Sequence, residues 1–253
     1  MAEIVLGLAT SHGPMLSTPP EQWGQRVAAD RQNPRHHYKG RTYTFQELTG
    51  LRADERLQRQ ITPEVWRTRH SACQAAIGTL AEVFAATKPD VAVIVGNDQM
   101  EMFTDAVIPA FAVYWGETIE NRWPSAAEMA KWEPGIEIAQ RGRIPPGGAT
   151  YAGVPSLGRH IIERAVADGF DVAAMKRLRE GRVTVPHAYG FIYRQIMRDQ
   201  AVPSVPIALN TFYPPNQPPV GRCYDFGNSL LAAIRSWDRG SRVALIASGG
   251  LSH

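Results

Sequence analysis

Cysteine is nearly absent from this chain. Cys73 and Cys223 are the only two among 253 residues, and they lack the CxxC spacing of a zinc or thiol-redox motif. Neither a zinc site nor an oxidising compartment is implied, and at most one disulfide is allowed. No apolar run reaches the roughly 18–20 residues that span a bilayer. The opening Met1-Ala2-Glu3-Ile4-Val5-Leu6 puts an acid where a secretory leader needs base, so a soluble cytoplasmic protein is expected. Charge of one sign is lacking too. Lys and Arg total 27 against 24 Asp and Glu, a net +3, and the basic residues form no stripe interleaved with aromatics. Nucleic-acid binding needs such a surface and is not expected. There is no GxGxxG after a strand, no GxxxxGK[ST], no HExxH and no GxSxG. Nucleotide-dependent chemistry and a serine nucleophile elbow therefore have no support.

What is present is an ordinary globular composition, 44% hydrophobic and 20% charged, enough for one core and one domain over residues 1–253. Six runs rich in aliphatic and β-branched residues predict strands: Glu3–Ala9, Val91–Gly96, Val107–Tyr114, Phe170–Met175, Val205–Asn210 and Arg242–Ser248. Several are apolar almost throughout, as in strands covered on both faces. Thr62-Pro63-Glu64 opens a helix with an N-cap and a first-turn proline. Trp66, His70, Cys73, Ile77, Leu80 and Phe84 then recur on one helical face. Further helices are predicted over Ser156–Asp168, Ala188–Arg198 and Phe226–Trp237. Alternating strands and helices predict an α/β fold, a three-layer α/β/α arrangement with a mostly parallel or mixed sheet. Ser17–Leu57 and Glu117–Gly153 carry few regular signals. They read as pocket walls or lids, or as surface excursions or oligomer contacts.

The polar residues fall at strand ends. The first strand runs into Ser11-His12-Gly13-Pro14, the second into Asn97-Asp98-Gln99, the Val205 strand into Asn210-Thr211, and the Arg242 strand into Gly249-Gly250-Leu251-Ser252-His253. In open α/β sheets the ligand crevice lies outside the carboxyl ends of the strands, so parallel strands would bring these groups to one rim. A neutral imidazole suits a divalent metal or acid–base work near neutral pH; His12 reads as either, or as a satisfied structural histidine. His187, at a helix start, reads as a substrate contact or as a cap. His70 reads as core and His160 as structural, while His36 and His37 are pocket wall or solvated.

Taken together, these segments resemble the class III extradiol ring-cleavage dioxygenases, relatives of the protocatechuate 4,5-dioxygenase catalytic subunit. The resemblance runs from Ser11-His12-Gly13-Pro14 through Val95-Gly96-Asn97-Asp98, Ile108-Pro109-Ala110-Phe111-Ala112, Gly169-Phe170-Asp171-Val172 and Thr184-Val185-Pro186. It continues through Asn210-Thr211-Phe212-Tyr213-Pro214-Pro215 and Gly221-Arg222-Cys223-Tyr224 to Gly249-Gly250-Leu251-Ser252-His253. Within the family, the long Pro19–Gly50 segment is most similar to enzymes acting on methoxylated gallate-type catechols. The resemblance implies a non-haem Fe(II) held by two histidines and a carboxylate, with a small aromatic substrate and O2 as reactants and a homo-oligomer or partner subunit as company. It implies extradiol cleavage of a catecholic aromatic acid of the methoxylated gallate or protocatechuate type. His12 matches the first iron ligand and His253 the acid–base residue; His187 is a further catalytic candidate.

The chain departs from the family pattern at three places, one of them Val154, which replaces a helix histidine near the protocatechuate enzyme's site, although His160 aligns with a later one. Gln99 stands where the second histidine ligand is expected, so Gln99 ligates through a neutral oxygen, or His36, His37 or His70 replaces it, or the metal has been lost. The family's carboxylate ligand follows the last motif, and no acid here matches it, so the catalytic domain is expected to be C-terminally incomplete. The alternative function is a non-catalytic, metal-free subunit of the same fold; a third is another metal-dependent enzyme, such as a hydrolase, on the same scaffold.

Overall fold

The computed structural model describes all residues except 133–134, 181, 183, 238–239 and 250–253. Along the chain run β1 (Glu3–Thr10), α1 (Trp23–Gln32), β2 (His36–Tyr38), β3 (Arg41–Tyr43), α2 (Phe45–Leu51) and α3 (Pro63–Thr87). β4 (Val91–Asn97), β5 (Phe111–Tyr114), β6 (Thr118–Asn121), α4 (Ala126–Met129) and α5 (Ile136–Ala139) follow. Then come β7 (Ala149–Ala152), α6 (Pro155–Ala167), β8 (Ala173–Met175), α7 (His187–Phe191), β9 (Ser204–Leu209), α8 (Val220–Ser236) and β10 (Arg242–Ser248). The chain divides into two compact units. The first holds residues 1–13, 77–124 and 143–253, and the second holds 14–76 and 125–142.

The first unit is built on a six-stranded sheet in the order β1-β10-β4-β9-β5-β8. β1, β10, β4 and β9 are mutually parallel, β5 runs antiparallel to β9, and β8 is parallel to β5. The mixed, mostly parallel sheet expected from the sequence is therefore present. Thr10 is level with Ser248, Ser248 with Gly96, and Gly96 with Ala208. Four carboxyl ends thus finish in line. Period-2 alternation explains the nearly continuous apolar runs of β4 and β9, because both faces are covered. Val91, Val93, Val205, Ile207 and Val243 face α6 and α8, joining Leu157, Ile161, Phe226, Leu230 and Ile234 in one core. Phe111, Phe170 and Phe226 interlock there, with ring centroids 4.6–5.7 Å apart. Each such side chain contributes about 1.5–3 kcal/mol by burial. The intervening Ala92, Ile94, Ala244 and Ile246 are buried equally well.

Two strands are shorter than the sequence predicts. Residues 107–110 of the Val107–Tyr114 run stay outside the sheet: Pro109 has no N–H to give a ladder, and the Val107 N–H bonds Thr104 instead at 2.8 Å. In Phe170–Met175 the first residues serve to end α6. Gly169 takes φ +83°, its N–H bonds Val166, and the Phe170 N–H bonds Ala165. That is a Schellman cap, with Phe170 as its apolar anchor. The Ala188–Arg198 helix is α-helical only over α7 and continues as a π-helical turn, Ile192–Ile196. α8 begins at Val220, six residues before the predicted start, because its first turn carries no apolar stripe to announce it.

In the second unit Thr62 caps α3 as expected, accepting from the Val65 N–H at 3.3 Å. The Ser17–Leu57 segment is more regular than its composition predicts. It contains α1, the β2–β3 hairpin and α2, the last opened by a capping box between Thr44 and Glu47. These elements bury little, so hydrophobic periodicity had nothing to report; the signal was the Thr-x-x-Glu spacing.

Candidate functional site

At the strand-end rim of the first unit, hydrogen bookkeeping fixes the state of His12. His12 is 4% exposed, and its Nδ1 lies 2.9 Å from Ser248 Oγ. Ser248 Oγ lies 2.6 Å from the carbonyl oxygen of Ala188, which can only accept. The one hydroxyl proton of Ser248 is therefore spent on Ala188, so His12 must donate Nδ1–H to Ser248. In the neutral ring the lone pair is then on Nε2, the tautomer a metal-ligating imidazole needs. Gly96 makes this possible by letting α7 approach β4. A Cβ there would meet Ala188 Cβ at 3.0 Å and Ser248 O at 3.3 Å.

His187, at the first position of α7, presents its ring edge-on to His12 with centroids 4.6 Å apart. Its Nδ1 is 2.5 Å from Glu101 Oε2, and its main-chain N–H reaches the same oxygen at 3.0 Å. The other oxygen of Glu101 accepts from Arg143 at 2.7 Å and Arg182 at 3.3 Å. Burial works to raise the Glu101 carboxyl. The pull of His187, Arg143 and Arg182 outweighs it and holds the group well below the usual carboxylate range. An ionised carboxylate only accepts, so neutral His187 also carries its proton on Nδ1. The turn after β4 delivers Glu101 to this place. Asp98 folds it by accepting the N–H groups of Met102 and Phe103 at 2.8 and 3.0 Å, with Met100 left-handed at φ +56°. Such a conformation in a non-glycine residue is costly and tends to cluster at functional sites.

Asp98 itself borders a small cleft of about 10 Å³, room for about one water, that includes Met100, Phe103, Pro109, Leu209 and Tyr213. Burial pushes its carboxyl up to about 6, against the lowering effect of the Phe103 and Met102 N–H groups, while Glu101 adds to the rise. Asn210 holds the far wall through paired bonds to the Tyr213 main chain, at 2.8 and 2.9 Å. Apolar side chains make up most of the cleft's lining. Arg222 takes no part in it, lying 3.8 Å over the Phe170 ring.

Of the residues singled out by sequence, His12 and His187 come together and Gln99 lies half-buried on the same turn as Asp98. His253 lies outside the described residues. Among the described residues, no three His, Cys, Asp or Glu side chains are grouped so as to hold a metal ion. Asn97, 5% exposed, has an Oδ1 without a hydrogen-bond partner among them. The donor chemistry of His12 Nε2 thus suits a divalent metal, and the described residues alone do not complete a three-ligand set. The other histidines have local partners. His36 Nε2 is 2.9 Å from Asp30 O, His37 Nδ1 is 3.2 Å from Thr42 Oγ1, and His70 packs on Trp23. His160 meets Ser236 at 2.8 Å.

Sequence reading missed Glu101, Arg143, Arg182 and Ser248. Only Ser248, last residue of a strand that ends at the rim, carried a signal of position. The charged trio is assembled from residues up to 81 positions apart.

Comparison with known proteins gives three results. Residues 64–253 match the LigB family, described as the catalytic LigB subunit of aromatic ring-opening dioxygenase. A gallate dioxygenase of Pseudomonas putida (strain KT2440) is 31% identical over 115 residues, covering 44% of this chain and 30% of that protein. The chain thus matches less than a third of that relative's length. Among solved structures, a proposed methylthioadenosine nucleosidase from Weissella paramesenteroides is 11% identical, covers 64% of this chain and 74% of its own, and gives a TM-score of 0.35. A futalosine hydrolase mutant of Helicobacter pylori is 9% identical, with 91% and 93% covered and a TM-score of 0.31. Likenesses that slight carry no argument about fold or chemistry. The family match covers most of the chain and includes the β4 end, the Glu101 turn, His187 and Ser248: this chain belongs to the LigB family of aromatic ring-opening dioxygenase catalytic subunits.

Proposed function

We propose that the chain carries out extradiol cleavage, with O2, of a catecholic aromatic acid of the methoxylated gallate or protocatechuate type, dependent on Fe(II). The observation that carries this reading is His12. A buried strand-end imidazole is locked by Ser248 with Nε2 as its lone-pair nitrogen, in a chain of this family. His12 through Nε2 and Gln99 through its side-chain oxygen would hold the metal, which when bound would supply Lewis acidity and a meeting point for catecholate and oxygen. His187, with Nε2 as acceptor, would receive the hydrogen bond of a phenolic hydroxyl. His253, in its Gly-Gly-x-Ser-His setting, would move the substrate proton.

A second reading rests on Gln99 and on the absence of a three-ligand group among the described residues: a metal-free, non-catalytic member that keeps the fold. Oxygen uptake by anaerobically Fe(II)-loaded protein decides between them, with 3-O-methylgallate, gallate and protocatechuate offered in turn and bound iron quantified. Iron-dependent uptake with a ring-opened product is expected, and is lost in His12→Ala. Folded protein that neither retains iron nor consumes oxygen would establish the second reading.

A further inference from the structure

We infer that Glu101 is a positioning residue that sets the tautomer and the ring orientation of His187, so that a phenolic hydroxyl meets an accepting Nε2. The role rests on the proposed function; the geometry stands without it.

The two oxygens of Glu101 divide their work. Oε2 accepts both N–H groups of His187, main chain at 3.0 Å and ring Nδ1 at 2.5 Å. Two bonds from one residue to one oxygen fix the ring about both side-chain torsions as well as its height on α7. Oε1 is turned the other way by Arg143 at 2.7 Å and Arg182 at 3.3 Å. Arg182 is itself anchored by Nε to the Thr184 carbonyl at 2.7 Å. The Glu101 side chain keeps 15% of its exposure and Arg143 12%, so water competes poorly for these bonds. Gly190 allows the arrangement, because α7 passes so close to the Arg143 main chain that a Cβ there would lie 2.8 Å from its carbonyl oxygen.

This geometry makes an unusual substitution decisive. In Glu101→Gln the two guanidinium groups still demand an oxygen, so the amide turns its NH2 toward His187, whose main-chain N–H loses its acceptor. Nδ1 must then accept, and the proton of the neutral ring moves to Nε2. A substrate hydroxyl would meet a donor where it needs an acceptor, as when the aspartate of a Ser-His-Asp triad is replaced by asparagine.

The test is 15N NMR of imidazole-labelled protein across a pH series, read where the spectrum itself reports a neutral ring, with His187 assigned through His187→Asn. Wild type is expected to show a pyrrole-type Nδ1 and a pyridine-type Nε2. Glu101→Gln is expected to invert the pair, and Glu101→Asp, which keeps the carboxylate, to preserve it. A merely structural role would leave the tautomer of the folded variant unchanged. A wild-type ring protonated on Nε2, or an uninverted pair in folded Glu101→Gln, would overturn the assignment. The wild-type spectrum decides even if a variant fails to fold. With an active enzyme, Glu101→Gln should lower kcat by about 10²-fold or more with little change in KM, restored in part by Glu101→Asp. An inactive wild type with the expected tautomer would refute the dioxygenase reading and leave the Glu101–His187 assignment standing.

Discussion

Removing one oxygen atom at Ser248 should disturb both stability and metal binding. Ser248→Ala leaves two buried groups without their partner: the His12 Nδ1–H, 2.9 Å from Oγ, and the Ala188 carbonyl, 2.6 Å away. Ser248, His12 and Ala188 are 2%, 4% and 0% exposed, so water does not replace the hydroxyl readily. An unsatisfied buried polar group costs about 1–3 kcal/mol. Taking the low end twice gives about 2 kcal/mol. With a urea m-value of about 2–3 kcal/mol per molar, the unfolding midpoint should fall by roughly 0.7–1 M. The His12 tautomer is released as well, since nothing now fixes the proton on Nδ1. Loss of a hydrogen-bond partner behind a ligand typically weakens metal affinity by about 10–100-fold. Ser248→Thr, which keeps the hydroxyl, should retain the wild-type affinity. The measurements are urea melts of the metal-free proteins and Fe(II) competition titrations. A midpoint and an affinity both unchanged in Ser248→Ala would refute the reasoning from proton bookkeeping.

Two further perturbations test neighbouring parts of the rim. Asp98 has its carboxyl pushed up to about 6 by burial, above its unfolded value, so the folded chain binds that proton more tightly than the unfolded chain. The resulting stabilisation is present at acid pH and is lost as pH rises through about 6, so in metal-free protein Asp98→Asn should flatten the stability profile between about pH 4 and 6, while losing one of the two main-chain bonds because an amide accepts only through its oxygen; parallel profiles for the two proteins would contradict it. Gly190→Ala should destabilise by about 1–3 kcal/mol, because the new Cβ would lie 2.8 Å from the Arg143 carbonyl oxygen. A rise in Tm, as helix propensity alone would give, would show that α7 has room to move.

The sheet was legible because its signal is local. β4, β9 and β10 are apolar on both faces, and each was located to within a residue. The rim was legible for a related reason. Parallel strands of similar length finish together, so residues that follow an apolar run, His12 and Gln99 among them, can be assigned to one edge without knowing their neighbours. Where prediction ran short, a local pattern was taken over by another demand. Phe170 reads as a strand residue but anchors a helix cap. The second-unit elements α1 and α2 bury no residue fully and so print no periodicity.

The sequence by itself determined the α/β class, the family resemblance and the candidacy of His12 and His187. These follow from hydrophobic period and from short contiguous motifs, which a chain displays without being folded. Only the tertiary structure decided which nitrogen of each imidazole holds the proton. That depends on Ser248 being 236 positions from His12, on Glu101 being 86 from His187 and on Arg143 being 42 from Glu101. Hydrogen-bond partners this remote are chosen by packing, and packing leaves no mark in the residues that it brings together.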